Sequence, residues 1–177
     1  MKKILLVILL IPISIIGIGL YSKLQSNNIR KEIVTDQIEL QANWKSIDEN
    51  IQSFNRLANV ITEKYSDLTH DPSLYMDVTN TSSKYKDTLE KGMKYALYKN
   101  NREVIIQINN ELKTSKGNLT SDKFLTLEMS KELKLIATIK EQVKLNNKLA
   151  KEYNTKITNK FYVFLNENTP SKSTILN

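Results

Sequence analysis

Residues 33–68 read IVTDQIELQANWKSIDENIQSFNRLANVITEKYSDL, and their spacing decides the fold. Ile33, Gln37, Leu40, Trp44, Ile47, Ile51, Phe54, Ala58, Ile61, Tyr65 and Leu68 follow one another at alternating steps of four and three. That period is the seam of a long helix that packs against other helices. Neither Pro nor Gly interrupts it, and a helix of this length extends about 54 Å at roughly 1.5 Å per residue. The seam predicts a bundle and assigns no chemistry.

Downstream the same period returns. Thr69-His70-Asp71-Pro72-Ser73 reads as a turn, with Asp71 as helix cap and Pro72 at the first helical position. A second helix follows through Tyr75, Val78, Ser82, Tyr85, Leu89, Gly92 and Ala96. Asn100-Asn101-Arg102-Glu103 resembles a capping box, which predicts a short third helix carrying Val104, Ile105, Ile108 and Leu112. Residues 114–121 read as a loop in which Gly117 can end the third helix and Ser121 can cap the fourth. The fourth helix is expected from Asp122 to about Leu165, with Leu125, Met129, Ile136, Ile139, Val143, Ala150, Tyr153, Ile157 and Phe164 on its seam. Glu132 and Asn146 are the polar members of that seam, and a buried Asn there fixes register at some cost in stability.

Ahead of the first seam lies an uncharged run of 18 residues, Ile4 to Tyr21, preceded by Lys2 and Lys3. As a helix it rises about 27 Å, close to the roughly 30 Å of a bilayer core. Ile4, Leu10, Pro12 and Gly17 fall inside the expected span, where Pro and Gly are tolerated, and Tyr21 sits where an interfacial aromatic belongs. The competing reading is a cleaved signal peptide. The run exceeds the usual apolar core of about 7–15 residues and lacks an Ala-x-Ala pattern, which favours an uncleaved anchor. Basic residues flank both ends, so the side on which the body lies is undetermined.

The expected organisation is therefore an anchor at 1–22, a juxtamembrane linker or helix extension at 23–32, a helical bundle at 33–165 and a flexible tail at 166–177. The fold class is all-α: a transmembrane helix followed by an antiparallel up-and-down four-helix bundle with long first and last helices.

Composition narrows the chemistry. The chain has 177 residues, no Cys, one His and a formal charge of +7. Disulfides and thiolate metal sites are excluded. The positive excess falls on residues 113–177, with 12 Lys against 6 acidic residues and no Arg. Lys is a point charge suited to diffuse attraction rather than base readout, so nucleic acid is not an expected partner. His70 lies between Asp67 and Asp71, but a metal site needs three or four convergent ligands, so a solvated turn is expected. One His cannot furnish the two Glu-x-x-His motifs of a di-iron bundle. No phosphate-binding Gly loop or nucleophile elbow occurs. Trp44, at a seam position, reads as core rather than as a ligand-stacking residue. No cofactor, metal or catalytic residue is expected, and the chain does not read as an enzyme.

The ordered set of motifs resembles the LemA family. Glu32-Ile33-Val34, Trp44-Lys45-Ser46-Ile47-Asp48 and Asn55-Arg56-Leu57-Ala58-Asn59-Val60 are similar to the family's first helix. Phe124-Leu125-Thr126-Leu127 resembles the start of its last helix. Tyr153-Asn154-Thr155-Lys156-Ile157 before Phe161 looks like its C-terminal Tyr-Asn signature. The chain departs at Ser53-Phe54, Ala58, Asn146-Asn147 and Tyr162, as a divergent member would. The resemblance implies one N-terminal anchor, an antiparallel four-helix bundle and no established catalytic residues. It fits a single-pass protein of a bacterial cell membrane, held in the bilayer by residues 4–21.

Two functions remain. The first is a membrane-anchored interaction or scaffold module that binds a protein partner or itself. The second is a sensory or small-ligand-binding bundle signalling to a separate membrane partner, with a polar-lined pocket near Glu132 and Asn146. In the expected topology the fourth helix returns toward the bilayer. Lys156, Lys160, Phe161, Tyr162 and Phe164 are then candidates for lipid contact.

Overall fold

The computed structural model describes the backbone of residues 2–114, 122–159 and 170–176, and the side chains of these from residue 21 onward. Among them lie four helices and no strand: α1 (Lys2–Thr69), α2 (Ser73–Asp87), α3 (Lys91–Thr114) and α4 (Lys123–Asn159). The chain divides into two compact units, Met1–Glu39 with Lys151–Ser173, and Leu40–Ala150 with Thr174–Asn177.

The second unit is the four-helix bundle that the spacing predicts. Ile47, Ile51, Phe54, Ala58 and Ile61 of α1 are fully buried, together with Val78 of α2, Ile105 and Ile108 of α3, and Leu125 and Ile139 of α4. Burying side chains the size of the Ile, Leu, Val and Phe residues among them contributes about 1.5–3 kcal/mol each, which is what holds marginal helices together. Phe54 meets Tyr98 edge-to-face, with ring centroids 5.0 Å apart. Trp44 is half-buried against this core, and the Lys91 ammonium lies 5.5 Å from its ring centroid. Helices α1 and α4 run antiparallel. Asn43 donates to Asn146, Asn50 to Gln142, and Lys64 pairs with Asp122, so numbers rise on one helix as they fall on the other.

In the first unit, Ile33, Tyr153 and Ile157 are buried. Lys156 reaches both Asp36 and Glu32 at 2.7 Å. Residues 23–32 are helical, so the alternative of a separate linker gives way to an extension of α1. Among the described residues no helix is long and apolar enough to cross a membrane. The span expected at 4–21 lies outside the described side chains except for Tyr21, which is exposed.

Three expectations are corrected. First, the second helix does not run on through Leu89, Gly92 and Ala96. It stops at Asp87, where Thr88 turns extended (φ −88°, ψ 132°). The Thr88 N–H donates to the Tyr85 carbonyl and its hydroxyl to the Lys84 carbonyl, satisfying groups that the helix end leaves open. Leu89 is left 95% exposed, so its apparent place on the seam carries no packing. Second, α3 begins at Lys91, and Asn101 is an interior residue rather than part of a capping box. Third, Pro170–Leu176 is not a free tail. Leu176 is buried in the core of the second unit. Asn147 grips it at two points, accepting from its N–H at 2.8 Å and donating to its carbonyl at 2.7 Å. In the first unit Asn154 treats Ser173 the same way.

Two helix starts rest on local side chains. Asp122 caps α4, accepting the Leu125 N–H at 2.8 Å, while Ser121, the expected cap, lies outside the described residues. Asp71 accepts the Ser73 N–H just before α2. His70, immediately after α1, has φ 59°, the left-handed conformation that ends many helices.

Candidate functional site

Both polar members of the α4 seam lie in the second unit and are buried, with different surroundings. Asn146 accepts a long hydrogen bond from Asn43 at 3.4 Å. Glu132 is fully buried, and neither carboxyl oxygen has a hydrogen-bond partner. Burial pushes its pKa from 4.5 up to about 9, so at neutral pH it is a protonated acid in an apolar core. Tyr98, whose hydroxyl is also raised by burial, is close enough to feel its charge.

Asp48 is the opposite case. Its side chain is mostly buried. Tyr85 donates to it at 2.6 Å, Lys94 at 2.9 Å and Gln52 at 2.8 Å. Burial alone raises its pKa, but these donors outweigh burial and hold the carboxyl below its ordinary range. The same contact, after burial, raises the Tyr85 hydroxyl. Tyr65 is pushed up to about 12 by burial and by its hydrogen bond to Glu111.

Between α1, α2 and α3 lies a polar layer. Asn101 donates to Asn55 at 2.9 Å and to Ser82 at 3.1 Å. Asn59 donates to Ser82 at 3.2 Å and to the Asn55 carbonyl at 2.7 Å, and accepts from Thr79 at 2.8 Å. This layer floors a cleft of about 190 Å³ lined by Gln52, Asn55, Arg56, Asn59, Ser82, Tyr85 and Lys86. The sensory or ligand-binding reading calls for a polar-lined pocket near Glu132 and Asn146; neither residue lines this cleft.

A larger groove of about 630 Å³ separates α3 from α4. Leu112, Met129, Leu133 and Ala137 supply its apolar lining, Asn109, Thr126 and Ser130 polar points, and Lys113 and Lys134 its charges.

The remaining candidates carry no site. His70 is exposed on its turn, and among the described residues no three metal-ligating side chains come together. Lys156 is engaged with Asp36 and Glu32, and these hydrogen bonds hold its ammonium above the usual range. Lys160, Phe161, Tyr162 and Phe164 lie outside the described residues. Ile4, Leu10, Pro12 and Gly17 likewise have no described side chains.

Sequence reasoning missed the Asn55–Ser82–Asn101 layer. The signal was present: Tyr98, Asn101, Ile105 and Ile108 keep steps of three and four, so Asn101 lies on a seam once α3 starts at Lys91. No family model, curated protein or solved structure matches the chain.

Proposed function

We propose that this chain is a membrane-anchored helical-bundle interaction module of the LemA type. The groove between α3 and α4 is the observation that carries the interaction reading. Its lining is apolar, with Lys113 from α3 and Lys134 from α4 supplying positive charge. Neither lysine has an ion pair among the described residues. An amphipathic helix laid in such a groove contributes an apolar face at steps of three and four, and acidic residues along its edges meet the lysines. The occupant we assign is therefore an acidic amphipathic helix of a partner protein. Anchoring rests on the uncharged run at 4–21 and on α1 beginning at Lys2.

The test places a photo-crosslinking residue at Ala137 in the full chain in cells. The expected product is a partner peptide with an acidic amphipathic helix, lost in the Lys113→Glu/Lys134→Glu variant. A crosslink to a second copy of the chain, to a non-acidic peptide, or one unaffected by charge reversal overturns the assignment. Anchoring is checked separately by alkaline carbonate extraction, in which release of the full chain from membranes counts against the anchor.

A further inference from the structure

The cleft between α1 and α2 holds hydrogen-bond donors in excess of acceptors, and the imbalance follows from the bonds already made. Ser82 Oγ accepts from both Asn59 and Asn101, so its two lone pairs are occupied and its own proton is left to donate. The Asn55 side-chain oxygen accepts from Asn101, which leaves the Asn55 amide protons on the other side. Asn55 is only 6% exposed. Its Nδ2 makes no bond to a described residue, yet is not sealed from solvent, so it opens on the cleft that it lines. Asn59 has used its amide donors and its oxygen. Tyr85 spends its proton on Asp48 and Gln52 spends one of its two amide protons there, which leaves the Gln52 and Tyr85 oxygens as the acceptors at the cleft's edge.

Charge points the same way. Arg56 contacts the Ser53 hydroxyl but no carboxylate, and Lys86 has no ion pair among the described residues. No Asp or Glu lines the cleft. A buried amide and a buried hydroxyl therefore face inward as donors, with a guanidinium and an ammonium above them. This arrangement fits an oxygen-rich anion, for which charge-assisted and bidentate contacts are the strong ones.

We propose that the cleft lined by Asn55, Arg56, Ser82 and Lys86 binds a small oxyanion, a carboxylate or a phosphate. A volume of about 190 Å³ suits a compact anion and excludes a nucleotide or a lipid. The site lies on α1 and α2, away from the α3–α4 groove, and stands whether or not that groove docks a partner.

The test is isothermal titration of the detergent-extracted full chain with succinate and, separately, with inorganic phosphate. Saturable one-to-one binding of at least one probe is expected, and which one binds identifies the anion. Arg56→Gln/Lys86→Gln, two exposed positions, should weaken binding at least tenfold. Ser82→Ala, which removes the inward hydroxyl, should weaken it several-fold. Lys131→Gln/Lys140→Gln on α4 removes the same net charge elsewhere and should leave binding unchanged. The Asn55 side-chain amide signals should shift on titration with the bound probe. Absence of binding by both probes at millimolar concentration overturns the proposal. So does equal weakening by the α4 control, which would mean diffuse attraction to a cationic chain.

Discussion

Glu132 and Asp48 are carboxyl groups of the same unit, and the bundle treats them in opposite ways. Glu132 lies on the seam of α4 among apolar residues and finds no hydrogen-bond donor. Asp48 lies on α1 one position beyond the buried Ile47 and collects donors from its own helix, α2 and α3. Burial acts on both; only the partners differ. One pKa rises to about 9 and the other falls below its ordinary value. A polar side chain is tolerable in a core when several elements converge on it, and costly when it faces apolar surroundings from all of them.

The largest expected effect comes from removing the unpartnered acid. The folded pKa of Glu132 lies above its ordinary value, so its contribution is fully present below about pH 4.5 and is lost as pH rises toward 9. At pH 7 the unfolded chain gains about 3 kcal/mol from ionising this group, at about 1.36 kcal/mol per pH unit. Glu132→Gln keeps the shape and abolishes that gain. Urea melts should show stabilisation of about 3 kcal/mol at pH 7 and almost none at pH 4.5. Equal changes at both pH values would break the contrast with Asp48.

Asp48→Ala should act in the other direction. It strands the Lys94 ammonium and the Tyr85 hydroxyl together, at a cost of about 2–3 kcal/mol at pH 7. Because the folded pKa of Asp48 is depressed, its contribution is present above the unfolded value of about 3.8 and is lost as pH falls below it. The variant should therefore differ least from the native chain in strong acid. A cost that persists unchanged at pH 2 would show that Asp48 acts by shape alone.

Asn101→Ala tests whether the uncharged layer obeys the same rule. It removes two donated hydrogen bonds and should cost about 1–2 kcal/mol, with no dependence on pH between 4 and 9. The smallest effect belongs to Gln52→Ala, which removes one donor from Asp48 on an exposed flank and should cost about 0.5–1 kcal/mol. A loss as large as that of Asp48→Ala would mean that Gln52, not Tyr85 and Lys94, holds the carboxylate.

Much of the fold is readable in the chain, for a physical reason that varies by element. The long seams of α1 and α4 are local periodicities, and a helix carries its own ruler. The turn at Asp71-Pro72 is also local, and so is the start of α4, although its observed cap is Asp122 and the expected one was Ser121; both observed bonds join side chains to N–H groups within three residues. The break between α2 and α3 is different. Thr88-Leu89-Glu90 contains neither Pro nor Gly, and Tyr85, Leu89 and Gly92 keep a helical spacing across it. The seat of Leu176 is equally silent in sequence. It depends on a buried position in the bundle core and on the two-point grip of Asn147, whose residues lie 29 apart in the chain.

The polar sites divide along the same line. Glu132 and Asn146 stand out in the sequence as interruptions of an apolar seam, so their burial is a local inference. Whether each meets a partner is not. Asn43 stands 103 residues from Asn146, Tyr85 stands 37 residues from Asp48, and Asn101 stands 46 from Asn55. The sequence by itself determined which faces of the helices turn inward, because a period of 3.6 residues is a property of one strand of backbone. Only the tertiary structure decided which buried polar groups are satisfied, which one is stranded and where donors are left over. Hydrogen bonding acts over about 3 Å through space, between residues whose separation along the chain carries no record of it.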